Sequence, residues 1–193
     1  MSYMYHMSDF LNKITKLQND FYSKNPKNVL FKSQQKTNCA SAVSTQMDMN
    51  ILIQNTVYII HNTNKIFIDY TIFKVYANPS NYQNIVDYVL SLFDFAIQRF
   101  GNFEVHLNLN TVTVTACQRY KKIIETFITG CLRNNTEYIK KIDKMHVYNA
   151  PTVFDNIALI LNQLIHPEVK DKIVLYNKTD SNEKIHHLFA VSS

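Results

Sequence analysis

The stretch EYIKKIDKMHVYNAPTVFDNIALILNQLIHPEVKDKIVLYN, Glu137–Asn177, decides how this chain folds. Lys144–Tyr148 (KMHVY) reads as a short strand, and a short helix around 135–140 precedes it. Asn149 suits a turn at the strand's C-terminal end. Pro151 blocks further sheet pairing and fits a first helical turn. Residues 152–164 read as the next helix, with Phe154, Ile157, Ala158, Ile160, Leu161, Leu164 and Ile165 recurring at helical spacing. That is more apolar surface than a helix exposed on one side should show. Ile173–Tyr176 supplies another strand and Asn182–Phe189 a last helix. A strand, a crossover long enough for a helix and a second strand predict parallel neighbours in one sheet.

Upstream, Phe103–Leu109 (FEVHLNL) alternates as a strand should. Residues 80–100 carry Ile85, Val89, Phe93, Ala96 and Phe100 in one stripe, widened by Val86, Leu90 and Ile97. A helix this apolar packs on a sheet, and Gly101 ends it. Another helix is expected at about 114–132, with Tyr120, Ile123, Ile124, Phe127, Ile128 and Leu132. Val57–His61 and Lys65–Val75 read as strands around a hairpin turn at His61–Asn64. Residues 8–22 place Phe10, Leu11, Ile14, Leu17 and Phe21 at helical spacing after a Ser8 cap. Residues 23–50 are polar and weakly periodic, which predicts a loop or linker with one short strand at Val29–Phe31. The expected organisation is therefore an N-terminal helix and polar linker over 1–50, then an α/β domain over 51–193. Its sheet is mixed, mostly parallel and flanked by helices.

Composition narrows the function. With 46% hydrophobic and 18% charged residues in 193, the chain has a core to bury and is not a disordered polymer. The net charge of +5 permits attraction to anionic lipid or nucleic acid without demanding it. Gly101 and Gly130 are the two glycines, which excludes Gly-clustered phosphate loops. The three cysteines, Cys39, Cys117 and Cys131, form no CxxC pair and read as buried or incidental thiols in a reducing compartment. The opening MSYMYHMSDFLNKITKL lacks a charged region followed by an apolar run, so no signal peptide is expected. The apolar stretches are too interrupted for a membrane span.

Seven histidines raise the question of metal. His186 and His187 are adjacent and point in different directions on a helix, and no HExxH or Cys/His cluster exists. His106 and His146 lie on predicted strands and are able to approach each other, but a satisfied core or surface histidine is the better reading; no metal or cofactor is expected. No GxSxG elbow is present, Glu125 and Asp143 are isolated, and Asp87 and Asp94 lie a helical repeat apart, so no enzyme is expected. Basic residues gather at Lys121–Lys122 and at Lys140, Lys141 and Lys144, with Arg119 and Arg133 close in sequence. The default is a solvated helix face; the sharper reading is a patch of Lys140, Lys141 and Lys144 that docks on anionic membrane. No aromatic-interleaved basic motif supports nucleic-acid binding.

Several unlike residues at fixed offsets in the opening stretch resemble the C-terminal half of the CRAL-TRIO lipid-binding domain. In that family a helix ends in a Tyr-Pro-like pair, matched by Tyr138-Ile139 with Ile for the usual Pro. A strand then closes in Asn-Ala-Pro, here Asn149-Ala150-Pro151. Phe154, Pro167 and Lys172-Ile173 follow at the family's spacing, and a weaker likeness extends back to about residue 51. The resemblance implies a hydrophobic ligand, such as a lipid, in a pocket under a gate helix formed by 152–165.

It places Phe93, Val105, Leu107, Phe127, Thr129, Ile157, Leu161 and Leu164 at the ligand. The family's charged headgroup positions fall on Thr129 and Asn162, so both charges are missing, with Glu125 one turn from Thr129 as a weak substitute. The expected partners are a lipid or other hydrophobic small molecule, a transient anionic membrane and a protein, with no nucleic acid. A second reading stays open: an interaction or structural module that keeps the fold but fills the cavity, its 152–165 helix sealing a solid core. The 22 asparagines fit an AT-rich genome, such as that of a large DNA virus or a protist parasite. The expected setting is cytoplasmic, meaning host cytoplasm or virion if viral.

Overall fold

Alternation along residues 103–108 produces the central strand of a five-stranded sheet. In the computed structural model, which describes residues 2–130, 136–151 and 166–190, the strands are β1 (Val57–Ile59), β2 (Lys65–Asp69), β3 (Phe103–Asn108), β4 (Ile142–Tyr148) and β5 (Ile173–Leu175). They lie side by side in chain order; β1 and β2 pair antiparallel and every other pair is parallel. Parallel strands laid down in one direction with right-handed crossovers put their connecting helices on one face. The other face is left to whatever follows the last strand.

The helices obey that rule. On the connecting face lies α5 (Tyr82–Phe100), whose Ile85, Val89, Phe93 and Ala96 are buried. Gly101 stops it in the left-handed region at φ 84°, where its N–H donates to the Ile97 carbonyl at 2.8 Å. The helices α6 (Val114–Arg119), α7 (Lys121–Ile128) and α8 (Thr136–Lys141) lead to β4, and α9 (Pro167–Lys170) leads to β5. The opposite face receives α10 (Lys178–Ala190), whose Leu188 packs with Ile60 and Phe67.

Four expectations need correction. The polar linker contains a helix, α2 (Lys32–Gln46), after α1 (Ser2–Lys24) and before α3 (Met49–Thr56). Its buried stripe is Cys39, Ala40 and Val43, small side chains that allow close approach while adding little hydrophobic signal. Val29–Phe31 is a turn, not a strand. The strand expected over Lys65–Val75 ends at Asp69, whose carboxylate accepts from the Thr71 N–H at 2.7 Å and starts α4 (Tyr70–Tyr76). The single helix expected from 114 breaks at Tyr120, φ −96° and ψ 10°, into α6 and α7.

Phe10 and Ile14 of α1 and Val43 of α2 share a core with Leu52, Tyr76 and Ile85. The hairpin turn is as expected, with Asn62 at φ 55°. Asn149 also has positive φ, 54°, which an asparagine tolerates better than most residues. Its side-chain amide donates to Asn108 Oδ1 at 2.9 Å, and its backbone N–H donates to Ser181 Oγ at 2.6 Å. One residue thus joins the ends of β3 and β4 to the start of α10. Lys172 has a comparable structural role: its ammonium donates to the carbonyls of Ile139 and Ile142, at 3.0 and 2.7 Å, tying the turn before β5 to the junction of α8 and β4.

Candidate functional site

Successive strand residues point to opposite faces, so the sheet offers two separate surfaces. On the helix-covered face, Val105 and Leu107 of β3 stand with Met145 and Val147 of β4 as the floor of a cavity of about 260 Å³. Ile85, Val86 and Val89 of α5 form one wall, and Ile123, Ile124 and Phe127 of α7 another. Tyr70, Phe73, Cys117 and Tyr120 close one end. The described lining is apolar and aromatic throughout. Burial, then the neighbouring Tyr120, pushes the Tyr70 phenol up to about 12. Burial also raises the Cys117 thiol, which keeps it protonated.

A water's share of liquid volume is about 30 Å³ and it needs polar partners, so the hollow has room for several water-sized groups but little to hold water in place. Apolar walls left without contact partners lose dispersion attraction, so filling such a hollow is favourable.

Val105, Leu107 and Phe127 line this cavity. Phe93 lies behind the wall: it is fully buried, stacked on Phe103 at 4.3 Å and edge-on to Phe127 at 6.0 Å. Thr129 caps the end of α7 and is not among the lining residues. Glu125 pairs with Lys121 at 3.6 Å, both well exposed, so its carboxylate is engaged at the surface. Ile157, Leu161, Leu164 and Asn162 lie outside the described residues, as does Cys131. Lys140 and Lys144 are exposed and Lys141 is half-buried.

Tyr70 and Phe73 were hidden from sequence reading by the strand-like composition of α4. Met145, Val147 and Ile173 carried a period-two signal that identifies a face, but not a hollow beneath it.

The other face is polar at its centre. The β3–β4 register sets His106 directly beside His146, their rings stacked 4.7 Å apart. Glu104 lies 3.2 Å from His106 and 3.9 Å from His146. The hydrogen bond with His106 holds the Glu104 carboxyl below the usual range, while burial and then His106 lower His146. These three are the residues best placed to hold a cation among those described. No helix among the described residues is long and apolar enough to cross a membrane.

Comparison with known proteins matches this architecture. The fold resembles the crystal structure of Sfh5 with a TM-score of 0.53 at 14% identity, over 75% of this chain and 55% of that one. The chain thus spans about half the length of that relative, and the likeness is one of fold. No curated protein matches the sequence. The sequence model of the CRAL/TRIO domain matches residues 55–192, from the end of α3 past the end of α10. With the parallel sheet, the Asn-Ala-Pro corner and the apolar hollow all inside that span, the chain belongs to the CRAL/TRIO domain family.

Proposed function

We propose that this protein binds one hydrocarbon chain of a lipid, or a hydrophobic molecule of similar size, in the cavity between β3–β4 and α5–α7. The family generally binds and transfers lipids or small hydrophobic ligands. What carries the reading here is the apolar hollow of about 260 Å³. Each methylene moved from water into it contributes about 0.8 kcal/mol, so a chain binds without any charged contact.

Val105, Leu107 and Phe127 are the proposed contacts, with Phe93 supporting the wall from behind. On sequence alone, Ile157, Leu161 and Leu164 would add a covering apolar face. Thr129 brings no charge, so phosphoinositide recognition of the family's charged kind is not part of the proposal. Lys140, Lys141 and Lys144 are proposed to help dock the protein on anionic membrane during exchange. Binding and carriage need no catalysis.

Native mass spectrometry of the purified chain is the test. A co-purified adduct of one-chain lipid mass, exchangeable for added fatty acid, is expected. Absence of both an adduct and uptake of labelled lipid would overturn the reading in favour of a filled, partner-binding module.

A further inference from the structure

We propose that Glu104, His106 and His146 form a binding site for one divalent transition-metal ion of the zinc class, on the sheet face opposite the cavity. The donor atoms converge: Glu104 Oε2 lies 3.2 Å from His106 Nε2 and 3.9 Å from His146 Nε2, and the ligand atoms of all three residues fall within 4.8 Å of one another. The two remaining ring nitrogens are held from behind. His106 Nδ1 lies 2.9 Å from Tyr148 Oη, and His146 Nδ1 lies 3.0 Å from Tyr176 Oη. Two inward Nε2 atoms, one carboxylate and an outer partner for each imidazole make up the first and outer shells of a two-histidine, one-carboxylate metal site.

Metal–ligand bonds of about 2.0–2.2 Å place tetrahedral ligand atoms roughly 3.3–3.6 Å apart. The His106–Glu104 edge is already near that length, His146 needs to move by less than an ångström towards Glu104, and the His106–His146 edge, at up to 4.8 Å, has to close by as much as about 1.5 Å. Binding also requires the two imidazoles, stacked with planes 13° apart, to tilt towards a common point. His146 and Glu104 have room for it, with side chains 19% and 25% exposed against 4% for His106. That opening leaves a further coordination position for water or a small anion. Lys65 and Lys144 are the nearby positive charges that oppose an ion. Nitrogen donors favour zinc-class ions over calcium or magnesium, which prefer oxygen alone.

The test titrates the full chain with Zn²⁺ by calorimetry and with Co²⁺ by visible absorption. Saturable one-to-one binding is expected, with a cobalt spectrum free of thiolate bands, which separates this site from the three cysteines, Cys39, Cys117 and Cys131. Tyr148→Phe should weaken binding by about 10–100-fold, as loss of an outer partner does, and Glu104→Gln or His146→Ala should weaken it more. Circular dichroism of each variant establishes that it is folded. Non-saturable uptake, thiolate bands, or affinity unchanged in folded Glu104→Gln and Tyr148→Phe would overturn the proposal.

A separate observation carries a second inference, independent of any cavity ligand: the turn between α1 and α2 is an insertion tip for an anionic lipid bilayer. Val29, Leu30 and Phe31 are 88%, 88% and 67% exposed. The turn is built to present them. Asn28 Oδ1 accepts from the N–H groups of Leu30 and Phe31 at 2.9 and 3.0 Å, and the Gln35 amide donates to the carbonyls of Asn25 and Pro26 at 3.1 and 2.9 Å.

Residues 21–47 contain Lys24, Lys27, Lys32 and Lys36 and no Asp or Glu. An apolar tip in a basic collar matches the acyl–headgroup boundary of an anionic membrane. Three apolar residues are a small patch against the roughly 800 Å² per partner of a stable protein interface, so the bilayer is the occupant they fit.

The chain has no tryptophan, so Phe31→Trp supplies a single reporter. With phosphatidylserine-containing vesicles, its emission should shift to the blue and be quenched by brominated lipid. Phosphatidylcholine vesicles should give no such change, and high salt should reverse it. Lys27→Glu with Lys32→Glu should weaken binding by about tenfold or more, and Leu30→Asp should do likewise. An indole that stays in water with anionic vesicles, or binding indifferent to Leu30→Asp, would overturn the inference. Capture of a soluble protein without vesicle binding would overturn it too.

Discussion

The two faces of the β3–β4 pair are made from alternate residues of the same strands, yet they do opposite work. Val105, Leu107, Met145 and Val147 face a hollow with nothing directional in it, where area removed from water is the available driving force. Glu104, His106, His146 and Tyr148 face the other way and are held by specific atom pairs at 2.9–3.9 Å. Non-directional burial tolerates a change of ligand, whereas the polar face depends on each donor and acceptor finding its partner. A period of two along two strands separates the two chemistries by one sheet's thickness.

The largest expected effect comes from the wall behind the cavity. Phe93→Ala removes a fully buried ring stacked on Phe103 and should lower stability by about 3–5 kcal/mol in urea denaturation. Leu107→Trp, which fills the hollow from its floor, should instead reduce lipid uptake by about tenfold or more while the far-ultraviolet spectrum stays native. If both variants merely unfolded, the apolar face would be ordinary core. At the corner linking the faces, Asn149→Ala removes a side chain that accommodates φ 54° and holds Asn108. It should cost about 1–3 kcal/mol, and Asn149→Gly should recover the backbone share of that loss.

The smallest effects are those of pH, and their direction is set by the polar face. Glu104 is held below its ordinary 4.5, first by the His106 hydrogen bond, so the native state binds fewer protons than the unfolded chain in that window. Its contribution is present above 4.5 and is lost as pH falls through the lowered native value. His146, lowered from 6.5 mainly by burial, acts in the same direction: below 6.5 the unfolded chain takes up the proton first. Stability should fall on acidification from about pH 6.5, and Glu104→Gln should flatten the part of that slope below 4.5. At the cavity end, Tyr70 is raised from 10 to about 12, so the native state keeps a proton the unfolded chain has lost. Stability should fall between those values, and Tyr70→Phe should remove part of the alkaline slope.

What was legible in the sequence was whatever a repeating apolar period writes locally. The α5 stripe, its Gly101 stop, the β3 alternation and the Asn62 turn all emerge where the pattern places them. Short elements governed by their surroundings did not. The β-branched and aromatic run of α4 folds as a helix because Asp69 caps it and Tyr70, Ile72 and Tyr76 find a core. The Cys39–Ala40–Val43 stripe of α2 is too small to stand out among polar neighbours. At the cavity, strand alternation puts Val105 and Leu107 on one face of the sheet, but helix periodicity cannot tell a residue lining a hollow from one behind it, which is where Phe93 lies. The pairing of His106 with His146 depends on strand register across forty residues, a long-range property that neither segment carries alone.

The central claim is that a hydrocarbon chain lies on the β3–β4 floor beneath α5 and α7. Photocrosslinking with a single-chain fatty acid bearing a photoreactive group along its tail, followed by peptide mapping, tests it most directly. Adducts should concentrate on residues 103–109 and 121–128 and disappear in Leu107→Trp. Adducts confined to exposed segments such as 27–32, or labelling unaffected by filling the hollow, would contradict it.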